Sequence, residues 1–233
     1  MIKQKKNGNL IVISGTTCAG KGTVIDTLLE RNPDLALSIS YTSRPIRDGE
    51  TNGKEYYFIS KDEFEEKIKK GDFLEYAKSH REDYYGTPKK EVQEMLDKGK
   101  DVVLEINVDG AKYIKEMFPE VLLIFIMAPS MEEVKRRIKE RGKESPKQII
   151  ERFKSAYREI NEIPQYNYVV INDKVENAVD KIEAILKASK CQVDRIEEIS
   201  VESEEEILHE FLIGEDFDNK PMSERIEEKR NEN

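Results

Sequence analysis

Leu10-Ile11-Val12-Ile13-Ser14-Gly15-Thr16-Thr17-Cys18-Ala19-Gly20-Lys21-Gly22-Thr23 is an apolar run that ends in a glycine-spaced loop and a lysine, and its reading decides the rest of the chain. Four leucine or β-branched residues lead in, and Val24, Ile25, Leu28 and Leu29 follow at the i, i+3, i+4 spacing of a helix face, which predicts strand, loop and helix start. Gly15 and Gly20 with Lys21 fit the pattern G-x-x-x-x-G-K. There, backbone N–H groups, a lysine ammonium and the positive end of a helix surround the phosphates of a nucleotide. An ordinary turn after an edge strand is the alternative, and the helix pattern behind the loop argues against it. Gly22 follows the lysine where Ser or Thr is usual, and the hydroxyl comes one place later at Thr23. This leaves open whether a side-chain hydroxyl reaches Mg²⁺ directly.

The 233 residues suffice for one substantial core with insertions. Hydrophobic and charged residues each make up 37%, as in a soluble protein with a well-solvated surface. The longest apolar run, Val121 to Ala128, is far short of the roughly 20 residues that span a bilayer. No signal-peptide stretch opens the chain, so a reducing cytoplasm is expected. Cys18 and Cys191 stand far apart, and His80 and His209 have no second ligand at metal spacing. The net charge of −9 is concentrated at one end: residues 191–233 hold 15 acidic against 5 basic side chains, and the remainder is near neutral. No basic stripe favours nucleic acid.

In chain order, Leu35 to Thr42 alternates like a half-buried strand and runs into a charged loop with Arg44, Arg47 and Glu50, after which Tyr56 to Ile59 resumes as a strand. Paired arginines beside a phosphate loop suggest a second anion site, a solvated charged loop being the alternative. Ser60 with Glu63 is a capping box for a helix over 61–70 stopped by Gly71. Phe73 to Ala77 is a strand holding Glu75 between apolar neighbours, and Pro88 is expected as the first helical residue behind a Thr87 cap.

Asp101 to Ile106 and Val121 to Met127 read as buried strands joined by a helix over 109–118, a strand-helix-strand crossover of a parallel sheet. Glu105 at its strand end is either an acid close to Mg²⁺ or a solvated terminus. Ser130 with Glu133, and Ser145 with Gln148, open two helices of a basic hairpin. It carries Arg137 and Arg141, four apart on one helix face, and Arg152, as a lid over a transferring phosphoryl group requires, a basic solvated hairpin being the alternative. A last strand at 168–171 and a helix from Val175 to about Lys190 complete an α/β core. Beyond it, acidic clusters alternate with Ile207-Leu208 and Phe211-Leu212-Ile213, expected as one amphipathic helix and then disorder.

Together these segments resemble guanylate kinase of the bacterial type, over residues 9 to about 190. Ser14-Gly15 through Gly20-Lys21-Gly22-Thr23 is similar to that family's phosphate loop, including its G-K-G-T variant. Thr42 to Glu50 with Gly53, Tyr56 and Phe58 resembles its GMP-binding loop. The resemblance implies a P-loop NTPase core with a central parallel sheet (9–37, 88–129 and 160–190), a small GMP-binding insertion (38–87), a helical lid (130–159) and an acidic tail (191–233). It implies transfer of a phosphoryl group from ATP to GMP, with Mg²⁺ reached through phosphates and water and Thr23 and Glu105 as its nearest side chains.

The same resemblance assigns catalysis to Lys21, Arg44, Arg137, Arg141 and Arg152. ATP would meet Gly15, Thr16, Thr17, Cys18, Ala19, Gly20, Lys21, Gly22, Thr23, Asn172 and Asp173. GMP would meet Ser40, Arg44, Arg47, Glu50, Tyr56, Glu75, Tyr85, Thr87, Glu105 and Asn107. Three departures stand out: Thr16-Thr17-Cys18 where the family has Pro-Ser-Gly, Asn107 at a commonly acidic position, and Lys143 for a frequent Thr. The competing readings are a kinase for another nucleoside monophosphate and a guanylate-kinase-like module that binds phosphoproteins without catalysis. Lys21 speaks against the second.

Overall fold

The computed structural model describes residues 2–4, 8–79, 82–140 and 146–199. Its strands are β1 (Ile2–Gln4), β2 (Leu10–Gly15), β3 (Ala36–Ser38), β4 (Tyr41–Thr42), β5 (Tyr57–Phe58), β6 (Phe73–Lys78), β7 (Tyr84–Pro88), β8 (Val102–Glu105), β9 (Leu122–Met127), β10 (Tyr168–Ile171) and β11 (Ile196–Ile199). The helices are α1 (Lys21–Arg31), α2 (Lys61–Lys70), α3 (Lys89–Asp97), α4 (Val108–Met117), α5 (Met131–Glu140), α6 (Pro146–Asn161) and α7 (Val175–Ser189).

The chain divides into two compact units, residues 1–5 with 193–233 and residues 6–192. In the first, β1 and β11 pair antiparallel, Ile2 opposite Ile199. The sequence does not announce this pairing: a three-residue strand meets a segment rich in glutamate, and only its partner makes either one a strand. The apolar groups at 207–213, and the helix expected there, lie outside the described residues.

In the second unit a parallel sheet has the order β10-β9-β2-β8-β3. Every residue of β2 is buried because helices cover both faces. Ile11 and Ile13 pack with Val24, Ile25 and Leu28 of α1 and Val179 and Ile182 of α7. Leu10 and Val12 pack with Val92 of α3 and Ala111 and Ile114 of α4 on the other side. The phosphate-loop segment leaves the C-terminal end of β2, at the centre of the sheet and between β8 and β9. Such strand ends form the ligand crevice of open α/β sheets.

A second sheet, order β5-β4-β7-β6, is built from residues 41–88. The single strand expected over 35–42 is divided: Ala36–Ser38 joins β8, Tyr41–Thr42 joins β7, and Ile39 and Ser40 cross between the sheets. Within β3 the alternation sends Leu37 to the α1/α7 face and Ala36 to the α3/α4 face. The capping box on α2 forms as expected, with Glu63 N–H donating to Ser60 Oγ at 3.2 Å, Ser60 N–H donating to Glu63 Oε2 at 2.8 Å, and Gly71 closing the helix at φ 73°. Pro88 differs from expectation. It is the N-cap of α3 rather than its first turn, and no Thr87 cap bond forms because the Thr87 hydroxyl donates to Glu75 instead.

α5 and α6 lie against each other around Ala128, Val134, Ile138 and Ala156. Glu133 N–H donates to Ser130 Oγ at the start of α5. Arg141, Lys143 and the Ser145 cap lie outside the described residues. No helix among the described residues is long and apolar enough to cross a membrane.

Phe64 of α2 anchors the small sheet, fully buried and stacked on Phe73 at 4.4 Å and on Tyr84 at 5.1 Å. Truncation leaves a cavity between two rings that cannot both follow. Phe64→Ala is therefore expected to cost about 3–5 kcal/mol in urea unfolding, and a loss below about 1 kcal/mol would show that the site collapses.

Candidate active site

The phosphate loop is oriented by which of its peptide groups are already taken. Thr16 N–H donates to Ile126 O at 3.1 Å, Thr17 N–H to Glu159 Oε2 at 2.8 Å and Ala19 N–H to Thr16 O at 3.0 Å. The carbonyl of Ala19 accepts from Asn172 Nδ2 at 2.7 Å and from Arg137 Nη1 at 3.1 Å, and that of Cys18 from Arg137 Nη1 at 3.5 Å. The first internal bond of α1 is Val24 N–H to Gly20 O, so the N–H groups from Gly20 to Thr23 have no partner inside the helix. The Cys18 and Ala19 carbonyls are taken up by the protein while, among the described residues, the amides from Gly20 to Thr23 are not, an arrangement suited to an anion at the head of α1.

Two positions in this loop need a left-handed backbone. Gly20 caps α1 at φ 81°, and a Cβ there would also lie 2.6 Å from Asn172 Nδ2. Cys18 stands at φ 63°. The departure noted in the sequence thus falls where a side chain is disfavoured, by roughly 1–2 kcal/mol. Gly15 meets a different constraint, since its Cβ would lie 2.1 Å from Ile126 O.

Beside the loop, a cavity of about 290 Å³ is lined by Lys21, Ser40, Tyr56, Glu75, Tyr85, Glu105 and Asn107 among others. All seven are residues that the sequence singles out. Lys21 Nζ lies 3.9 Å from Glu105 Oε1 at the C-terminal end of β8. At the far side Glu75 is 7% exposed and accepts from the Thr87 hydroxyl at 2.6 Å. Its carboxylate lies against the first turn of α4, because a Cβ on Gly110 would sit 2.9 Å from Glu75 Oε2. Burial pushes the Glu75 carboxyl above its usual range, and the Thr87 hydrogen bond opposes that shift. Asn107 has a second duty the sequence does not reveal: its Oδ1 accepts from Gly110 N–H at 2.8 Å and caps α4.

Arg44 is 6% exposed and held by Glu50 in a two-pronged pair, Nη1 to Oε2 at 2.7 Å and Nη2 to Oε1 at 2.6 Å, with Nη1 also donating to Pro45 O at 3.0 Å. This uses the end of the guanidinium. Among the described residues the side edge, Nε with the second Nη2 hydrogen, has no acceptor, and that edge matches two oxygens of a phosphate. Tyr56 supports the group from below at 5.1 Å, and Tyr85 meets Tyr56 edge to face at 5.7 Å. The Arg44 hydrogen bonds hold the Glu50 carboxyl down at about 2. Arg47 is exposed and donates its backbone N–H to Glu50 Oε2 at 2.8 Å.

Other expected residues sit apart from the cavity. Thr87 is buried behind Glu75, and Thr23 is exposed on α1 with open space beside Gly22. Arg137 lies behind the phosphate loop, its guanidinium donating to Cys18, Ala19, Asn172 O at 3.1 Å and Glu133 Oε1 at 2.6 Å. Asp173 is exposed, its carboxyl lowered by the backbone N–H of Lys174. Arg152 is half-buried on α6. Glu159 escaped sequence reasoning, and its one signal is a position two helical turns beyond Arg152 on the same face.

The family profile described as guanylate kinase matches residues 7–189. The chain is 56% identical over 207 residues to a protein named guanylate kinase from Clostridium tetani, covering 89% of this chain and 99% of that one. It is 54% identical over 202 residues to another from Caldanaerobacter subterraneus, covering 87% and 98%. A crystal structure of guanylate kinase from Anaplasma phagocytophilum is similar with a TM-score of 0.70 at 33% identity, covering 93% of this chain and 99% of that one.

Because Glu75 is raised in the folded state, its ionisation costs stability. That cost is absent below the unfolded carboxyl range, near pH 4, and complete above the raised value. In ligand-free protein the stability of Glu75→Gln relative to wild type should therefore increase as pH rises from about 4 to 7. Chemical denaturation at several pH values measures it, and a pH-independent difference would place the Glu75 charge in solvent.

Proposed function

We propose, on the premise that this chain belongs to the guanylate kinase family, how its residues divide the work of the reaction. The chain is a guanylate kinase that transfers the γ-phosphoryl group of ATP to GMP, giving ADP and GDP. The observation that carries the division of labour is the place of Lys21, which heads the phosphate-loop helix and also lines the cavity that holds Glu75. Donor and acceptor phosphates that meet at one ammonium are positioned for in-line transfer. The acceptor is already an anion, so no general base is required.

In this reading the amides of Gly20, Lys21, Gly22 and Thr23 bind the ATP phosphates, the buried Asn172 supports the loop through the Ala19 carbonyl, and the exposed Asp173 meets the nucleotide. The side edge of Arg44, with Arg47, Tyr56 and Tyr85, receives the phosphate of GMP. Ser40, Glu75, Thr87 and Asn107 form the base pocket. Residues 38–87 act as the GMP-binding part and 130–159 as the lid, with Arg141 and Arg152 closing positive charge over the migrating group. Closure excludes water and prevents hydrolysis of ATP.

Among the described residues no three acidic, His or Cys side chains could together hold a metal. The hard oxygen of Glu105 near Lys21 fits a hydrated Mg²⁺ bound mainly to phosphates, not a protein cage, whereas Thr23 is exposed on α1 apart from that cavity. Bound there, Mg²⁺ would neutralise charge on the β- and γ-phosphates. The cytoplasm, with its ATP and GMP, is the compartment that suits this reaction, and neither nucleic acid nor a membrane enters it.

Two substitutions test the assignment by ADP production with and without GMP. Lys21→Ala should lower GMP-dependent turnover by about 10²-fold or more with an unchanged far-ultraviolet circular dichroism spectrum, and near-normal turnover would remove Lys21 from the mechanism. Glu75→Gln should compress the preference for GMP over AMP. A carboxylate accepts both the N1–H and the exocyclic amine of guanine, and buried pairing of this kind discriminates by roughly 10⁴. An unchanged ratio would show that Glu75 does not read the base.

A further inference from the structure

We propose that Glu159 is a positioning residue for phosphoryl transfer, one that fixes the shape of the phosphate loop from α6 and ties that loop to the helical hairpin. The inference rests on the reading of residues 15–23 as the ATP-binding loop.

Three peptide groups of the loop are held by side chains from three separate elements. The group joining Thr16 to Thr17 is gripped at both ends: its carbonyl accepts from Ala19 N–H at 3.0 Å, and its N–H donates to Glu159 Oε2 at 2.8 Å. The group joining Cys18 to Ala19 is held at its carbonyl by Arg137 of α5, and the next by Asn172 after β10. Between the first two stands Cys18 at φ 63°, a conformation its side chain disfavours. A strained residue keeps such a conformation only when the groups flanking it are fixed on both sides. Arg137 and Asn172 fix the groups that follow, and Glu159 fixes the Thr16–Thr17 group, one residue before the peptide bond that enters Cys18.

The contact is also supported from its own helix. Ser155, one turn earlier on α6, donates its hydroxyl to the other Glu159 oxygen at 3.2 Å. This directs the carboxylate at the loop and limits its rotamers. Arg152 lies seven residues before Glu159, so the two share a face about 10 Å apart along the helix. A shift of α6 that carries Arg152 toward a nucleotide is thus felt at Thr17. Glu159 does not itself need to touch ATP for this.

The measurement is steady-state kinetics of wild type, Glu159→Ala and Glu159→Gln, with ATP varied at saturating GMP and then GMP varied at saturating ATP. Glu159→Ala should lower kcat/KM for ATP about tenfold or more while KM for GMP stays within about twofold. Glu159→Gln keeps a carbonyl acceptor for Thr17 N–H and should stay within about threefold of wild type. Wild-type kinetics for ATP in Glu159→Ala, or an equal rise of both KM values, overturns the proposal. If Glu159→Ala fails to fold, amide hydrogen exchange at Thr17 decides in its place: protection in wild type and in Glu159→Gln supports the contact, and exchange at the rate of an open loop overturns it. Absence of GMP-dependent ADP formation by wild type would instead count against the functional reading, and the Thr17 exchange result would still report on the contact.

Discussion

The outward direction of a few backbone amides is the constraint on which the site depends. A nine-residue loop has no hydrogen-bonded ladder of its own to set the plane of each peptide group, and a nucleotide phosphate needs several of them aimed at one point. Here the aim comes from behind. Arg137 and Asn172 draw the carbonyls of Cys18 and Ala19 inward, and the Gly20 N–H on the Ala19 peptide group is left without a partner among the described residues, as are those of the first helical turn. The central place of β2, paired on both edges and covered on both faces, keeps the root of the loop still.

On the acceptor side two carboxylates are driven in opposite directions for different ends. Glu50 is paired with Arg44, ionises easily and spends its charge inside the protein, fixing the guanidinium so that one edge remains for a ligand. Glu75 is buried beside the hydroxyl and backbone of Thr87, and burial outweighs those contacts and makes its charge unfavourable. A guanine edge supplies two donors. Under the proposed assignment the binding energy of the base would be used where it discriminates.

Local signals made much of this legible in the sequence. The apolar run before Gly15, the Ser60–Glu63 capping box and the terminating Gly71 each depend on residues a few places apart, and each formed as expected. The left-handed backbone at Cys18 could be anticipated from the glycine it replaces. What could not be read was decided by neighbours distant in sequence. The Thr87 hydroxyl had a choice between a helix end and Glu75, and the strand pairing of β6 with β7 settled it. Arg137 is basic and helical by any pattern, yet its orientation toward the loop carbonyls follows from how α5 packs. The alternation over 35–42 was correct in character and silent about the change of sheet at Ile39 and Ser40.

That change of sheet has a mechanical consequence. The small sheet is joined to the main body at one end by two residues, between Ser38 and Tyr41, and at the other by none, since Pro88 ends β7 and Lys89 begins α3. Neither junction has slack to permit sliding. A body pinned at two points would keep one freedom, a turn about the line between the pins, and here that turn is opposed by Leu74 of β6, which is buried among Val12, Leu104 and Ile114 of the main body. Ser40 belongs to one of those pins and also lines the acceptor cavity. The axis of any such turn therefore passes beside that cavity, so that residues far from Ser40 would move further than the cavity lining next to it.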